Sequence, residues 1–188
     1  MQAIPKDAAL ILIDIQQGFD DAKHWGPRNN PQAEANAAKL LQVWRASGRP
    51  LFHIQHLSTT PGSPLRPGQP GCEHKAEVRP LPGEPVIGKQ VNSAFIGTDL
   101  EARLRERDIT TLVIAGLTTA HCVSTTTRMA GNLGFRTLLA ADACATHAQT
   151  GYDGRPHDAE TVHALALASL HGEFAEVADT GVLLRNLE

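Results

Sequence analysis

The sequence predicts an α/β protein of three layers, a mostly parallel sheet with helices on both faces. Three observations carry that expectation. Apolar runs at residues 8–13 and 110–115 are continuous instead of alternating, the mark of strands buried on both sides. Between such runs lie stretches of helical period, clearest at residues 31–47 and 158–171. The two kinds alternate along the chain, which leaves room for the right-handed crossovers that parallel pairing requires.

A chain of 188 residues fits one domain with a single sizeable core, and no repeat or linker divides it, so one domain spanning residues 1–188 is expected. Hydrophobic residues at 41% and charged residues at 20% are ordinary for a folded globular protein and argue against disorder. The net charge is only -3, with Lys and Arg scattered along the chain, so neither nucleic acid nor an anionic membrane is an expected partner. The first apolar run is too short to span a bilayer and lacks the flanks of a secretion signal. Three cysteines, Cys72, Cys122 and Cys144, cannot all pair with one another and lack zinc or redox spacing. Free thiols in a cytoplasmic protein are the expectation.

In order along the chain, residues 8–13 read as a strand that ends in Asp14, and a polar loop with Gly18, Gly26 and Pro27 follows. Ala33, Ala37, Leu40, Leu41 and Trp44 make the apolar stripe of a helix that Gly48 terminates. Residues 51–57 read as a second strand. Residues 58–85 are rich in Pro and Gly without periodicity, a long loop of the kind that covers a functional site. A short strand at residues 85–89 ends in Lys89, and Thr98-Asp99-Leu100-Glu101 has the pattern of a capping box opening a helix through Arg107. Then come a strand at 110–115, a helix at 121–134, a strand at 135–141, the helix at 158–171 and a last strand at 174–177.

In open sheets of this kind the ligand crevice lies beyond the carboxyl ends of the strands, where strand order reverses. Asp14 and Lys89 end strands, and Cys122 stands where a helix begins just past another. A thiol in the first turn of a helix meets unpaired N–H groups and the positive end of the helix dipole, so a low-pKa thiolate is expected. A nearby Lys89 would favour the thiolate further, and Asp14 could take the thiol proton and return it to a leaving amine. Backbone N–H groups in the turn from Gly116 to Cys122 are suited to hold an oxyanion.

The same residues resemble the isochorismatase-like cysteine hydrolases, a group that includes nicotinamidases, N-carbamoylsarcosine, maleamate and ureidoacrylate amidohydrolases, and isochorismatases. The resemblance lies in three blocks: Leu10-Ile11-Leu12-Ile13-Asp14-Ile15-Gln16; Val86-Ile87-Gly88-Lys89 with Ser93-Ala94-Phe95; and Val113-Ile114-Ala115-Gly116 leading to His121-Cys122-Val123. Fainter matches run through Arg128, Gly134 and Asp142. Each block is weak alone, and their order and separation together are specific. The resemblance implies a six-stranded parallel, Rossmann-like sheet and a catalytic set of Asp14 as general base, Lys89 as charged stabiliser and Cys122 as nucleophile. It further implies a cis peptide between Leu117 and Thr118, an oxyanion hole from the N–H groups of Thr118 and Cys122, and a homo-oligomer, dimer or tetramer.

The reaction expected is hydrolysis of a C–N amide bond in a small molecule. Two alternatives stand beside it: an isochorismatase-type vinyl ether hydrolase that uses Asp14 without a thiol, and a binding protein that keeps the fold but turns nothing over. Gln16, Phe19, Trp25 and Phe95 follow the motifs closely and are candidate substrate-binding residues. His53, His56 and His74 invite a metal reading. Nicotinamidases, however, carry an Asp-x-His pair where this chain reads His56-Leu57-Ser58, so no metal or cofactor is expected and nicotinamide is disfavoured. His121 adjoins the nucleophile, and neighbouring side chains on a helix diverge, which leaves it outside the expected catalytic set.

Overall fold

A computed structural model describes residues 1–188. Its elements run in the order β1 (Ala9–Ile13), α1 (Ala22–Trp25), α2 (Ala33–Ser47), β2 (Leu51–His56), β3 (Val86–Lys89), α3 (Leu100–Arg105), β4 (Thr111–Leu117), α4 (Ser124–Asn132), β5 (Arg136–Ala145), β6 (Gln149–Thr150), β7 (Pro156–His157), α5 (Ala159–Ala168), β8 (Glu176–Ala178) and α6 (Thr180–Arg185). Six strands form one sheet in the order β3-β2-β1-β4-β5-β8, and every neighbouring pair is parallel. β6 and β7 make a separate two-stranded hairpin.

The alternation of side chains along β1 explains the three layers. Leu10 and Leu12 pack on one side with Leu40, Leu41 and Trp44 of α2 and Leu183 of α6. Ile11 and Ile13 pack on the other with Leu100 and Leu104 of α3 and Ala130 of α4. Each such side chain, fully withdrawn from water, contributes about 1.5–3 kcal/mol. A continuous apolar run is therefore what a strand between two helical layers requires. The α2 stripe ends at Gly48, which adopts the left-handed backbone (φ 65°) and donates its N–H to the carbonyls of Arg45 and Trp44. Trp44 also donates its indole N–H to the Ala8 carbonyl at 3.0 Å, tying helix to sheet.

Several elements depart from the sequence expectation. β4 and β5 continue to Leu117 and Ala145, because Gly116 pairs with Cys144 and Leu117 with Ala145 beyond a bulge near Ile114. The capping box does not form: Thr98 donates its hydroxyl to the Ala94 carbonyl, the Asp99 carboxylate holds Arg103, and the helix stops at Arg105. The helix expected from residue 121 is divided, with a π-turn at Thr119–Val123 ahead of α4. The terminal helix α6 and the β6/β7 hairpin carry too little periodicity to stand out in the sequence. The Pro/Gly-rich loop contains two short 3-10 turns, Pro70–Cys72 and Ala76–Val78.

The chain runs outward from β1 to β2 and β3, then crosses back to place β4 on the other side of β1. Strand order thus reverses between β1 and β4, and a crevice opens beyond their carboxyl ends.

Candidate active site

Asp14 leaves β1 in the left-handed region (φ 50°), which aspartate tolerates better than most residues. Its N–H donates to the Ile54 carbonyl and its own carbonyl accepts from the Gln16 N–H, so the turn is fixed on both sides. Across from it, Gly116 pairs with Ile13 at φ 139°, and a Cβ there would lie 2.1 Å from the Ile13 carbonyl oxygen. Only glycine lets β4 approach the end of β1 this closely.

Lys89 closes β3, two strands away from β1, and its long side chain reaches back across the strand ends. Its Nζ lies 2.6 Å from Asp14 Oδ2, 3.0 Å from His56 Nδ1, 3.1 Å from the Val91 carbonyl and 3.3 Å from Cys122 Sγ. Ligand atoms of Asp14, His56 and Cys122 all stand within 4.8 Å of one another, an arrangement that could hold a cation. In this chain the Lys89 ammonium is ion-paired with Asp14 and in hydrogen-bonding contact with His56 and Cys122, so the side chain itself supplies the positive charge at that point.

Cys122 sits in the π-turn rather than in the first turn of an α-helix. The peptide from Leu117 to Thr118 is cis. The Thr118 carbonyl accepts from the N–H groups of His121 and Val123, skipping that of Cys122, while the Thr118 N–H donates to no acceptor in the chain.

The electrostatics differ from the sequence expectation of a resting thiolate. Burial, and next the adjacent Asp14 carboxylate, push the Cys122 thiol up to about 12 against the opposing pull of Lys89. The ammonium is shared with Asp14, so its charge is largely spent before it reaches the sulfur. Burial likewise raises Asp14 to about 6, although Lys89 opposes it. The favoured resting state is a neutral thiol beside a carboxylate–ammonium pair.

A cavity of about 250 Å³ leads to Cys122, lined also by Phe19, Trp25, His56, Leu65, Asn92, Thr118 and His121. Phe19 and Trp25 pack at a tilt of 33° with ring centroids 5.1 Å apart, and Trp25 donates its indole N–H to the Gly18 carbonyl, making one wall. Leu65 comes from the long Pro/Gly-rich loop, which thus does reach the cavity. A larger groove of about 790 Å³ lies elsewhere, but its Asp20, Arg28, Glu34 and Lys75 are already paired with one another.

Two of the four expected substrate-binding residues stand apart from this cavity. Gln16 is fully buried and clamps the backbone: its amide nitrogen donates to the carbonyls of His56 and Cys72, and its oxygen accepts from the His56 N–H. Phe95 packs against Phe135 in the core. Conversely His121, in the π-turn, does line the cavity, and its Nδ1 meets the Thr118 hydroxyl at 3.2 Å. The sequence raises His56 only beside His53 and His74 as an invitation to a metal reading, and not as a partner of Lys89. In the sequence His56 is only the last but one residue of the expected strand at 51–57, and its contact with Lys89 follows from the register of β2 against β3, which pairs the two residues. Cys72 and Cys144 are free and buried away from the cavity.

The isochorismatase domain matches residues 8–181 of this chain. The chain belongs to the isochorismatase family. Among structures of this family, one from Chromobacterium violaceum superposes with a TM-score of 0.95 at 52% identity, covering 99% of this chain and 96% of that one. The isochorismatase family protein YrdC of Bacillus subtilis is 49% identical over 178 residues, 95% of each chain. Ureidoacrylate amidohydrolase RutB of Methylobacterium radiotolerans is 38% identical over 93% of this chain and 77% of its own length. The six-stranded parallel sheet with flanking helices is the architecture that this family membership implies, and the chain is accordingly an isochorismatase-family hydrolase.

Proposed function

We propose that this protein hydrolyses a C–N amide bond of a small molecule through a thioester on Cys122. The observation that carries this reading is the meeting of carboxylate and ammonium with the sulfur that lines one cavity, Lys89 Nζ lying 2.6 Å from Asp14 and 3.3 Å from Cys122. Similarity to an amidohydrolase over most of the chain supports it.

Asp14 takes the thiol proton as sulfur attacks the carbonyl carbon, so a thiolate exists only when substrate is present. The negative oxygen of the tetrahedral intermediate is held by the N–H groups of Thr118 and Cys122, and the Lys89 charge offsets the growing negative charge. The C–N bond then breaks, and Asp14 returns the proton to the departing nitrogen. Water next gives a proton to Asp14 and attacks the thioester carbonyl, which releases the carboxylic acid and regenerates the thiol.

A second reading draws on Asp14 itself, since an acid held near 6 is suited to protonate a vinyl ether. One experiment separates them: ammonia release from a panel of small primary amides, ureides and carbamoyl compounds, beside isochorismate cleavage, with Cys122→Ala as comparison. Amide hydrolysis that vanishes in Cys122→Ala supports the proposal. Ether cleavage that survives that substitution, with no ammonia from any amide, overturns it.

A further inference from the structure

A site that breaks amide bonds must also select among amides, and the wall of this cavity has a marked chemical bias. No arginine, lysine, aspartate or glutamate lines it. The charges beneath it, Asp14 and Lys89, are spent on each other at 2.6 Å. An anionic substrate would lose water on entering and find only neutral donors, a costly exchange for an unpaired charge.

Among those donors His56 is the most constrained. An ammonium can only donate, so the Lys89 Nζ contact at 3.0 Å makes His56 Nδ1 the acceptor and leaves the hydrogen on Nε2. Nε2 has no partner in the chain, and the ring lines the cavity beside Cys122. The backbone behind the ring is held on both sides by the Gln16 amide, at 3.1 Å from the His56 carbonyl and 2.8 Å from its N–H. Burial and the adjacent Lys89 hold the imidazole down to about 4, so it stays uncharged near neutrality.

Resting on the amide hydrolase reading above, we propose that the cavity accepts small uncharged amides and that His56 orients them by donating its Nε2–H to an acceptor oxygen of the substrate. His56 is a positioning residue in this scheme. With Nδ1 occupied and the ring neutral, it takes no proton from the thiol, which remains the task of Asp14. The volume of about 250 Å³ keeps the class to small molecules.

The test is the rate of Cys122 alkylation by two reagents of equal size, uncharged iodoacetamide and anionic iodoacetate, each relative to glutathione at the same pH. Peptide mapping assigns the label to Cys122. The wild-type protein is expected to favour iodoacetamide about tenfold more than glutathione does, because the anion gives up its water without gaining a charged partner. His56→Asn, which can keep an acceptor for Lys89 but loses the donor at Nε2, should slow labelling by iodoacetamide about tenfold, the worth of one good hydrogen bond, while the preference over iodoacetate persists. His56→Gln, which can place an N–H near the position of Nε2, should retain most of the wild-type iodoacetamide rate. Asn92→Arg, at the exposed edge of the cavity, should turn the preference toward iodoacetate. Cys122 labelled without any preference, or an iodoacetamide rate unaffected by His56→Asn, overturns this inference alone. Cys122 inert to both reagents, in a folded protein, overturns the nucleophile reading and this inference with it.

Discussion

Lys89 Nζ lies 2.6 Å from Asp14 Oδ2 with neither side chain exposed to solvent, although 74 positions separate them in the numbering. The ion pair neutralises what would otherwise be two costly buried charges, and it places a carboxylate beside the Cys122 thiol.

The first prediction concerns that carboxylate. A base must be ionised to accept a proton, and burial raises Asp14 to about 6. For amide hydrolysis, kcat/KM should therefore rise as pH increases through about 6 and fall tenfold for each pH unit below it. An acid limb centred near 4 would remove Asp14 as the group being titrated.

A second prediction separates the thiol from its neighbours. The Asp14 carboxylate helps to push Cys122 up and Lys89 pulls it down. Asp14→Asn should therefore lower the pH at which iodoacetamide labels Cys122 while abolishing hydrolysis, and Lys89→Met should raise that pH. Labelling profiles of folded variants measure both shifts, and movement of both in the same direction would refute the scheme.

Gly116 offers a test of geometry. In Gly116→Ala the new methyl carbon would stand 2.1 Å from the Ile13 carbonyl oxygen, at a φ of 139° that alanine rarely adopts. A loss of about 3 kcal/mol or more in urea unfolding is expected, together with lost activity, because Ile13 directly precedes Asp14.

The charged network outside the cavity should govern acid stability. Burial opposes ionisation of Glu34, yet hydrogen bonds and charges from Arg28 and Lys75 outweigh it and hold Glu34 down to about 2. Because its folded value lies below the unfolded one, its stabilising contribution is present above about 4.5 and fades as pH falls toward 2. Glu34→Gln should thus be less stable than wild type near pH 7 and comparable to it near pH 2, as measured by thermal unfolding across that range.

Much of this was legible in the chain, because it depends on local order. The run from Ala8 to Ile13 is apolar at every position, and a strand covered on both faces needs that, so β1 is readable without any partner. The stripe ending at Trp44 and the stop at Gly48 are similarly local. Thr98 shows the limit: its hydroxyl donates back to the Ala94 carbonyl and accepts from the Leu100 N–H, one residue short of the Glu101 N–H that a capping box would hold. Gln16 and Phe95 show it again: nearness to a motif along the chain does not fix which side of a strand end a side chain faces.

By itself the sequence determined the alternation of strands and helices and the residue types at the strand ends, since periodicity and turn chemistry act over a few neighbours. Only the tertiary structure decided the charge state of the site. That state depends on how far Asp14, Lys89, His56 and Cys122 are withdrawn from water and on which of them claims the single ammonium, and both are set by contacts between strands far apart in the chain.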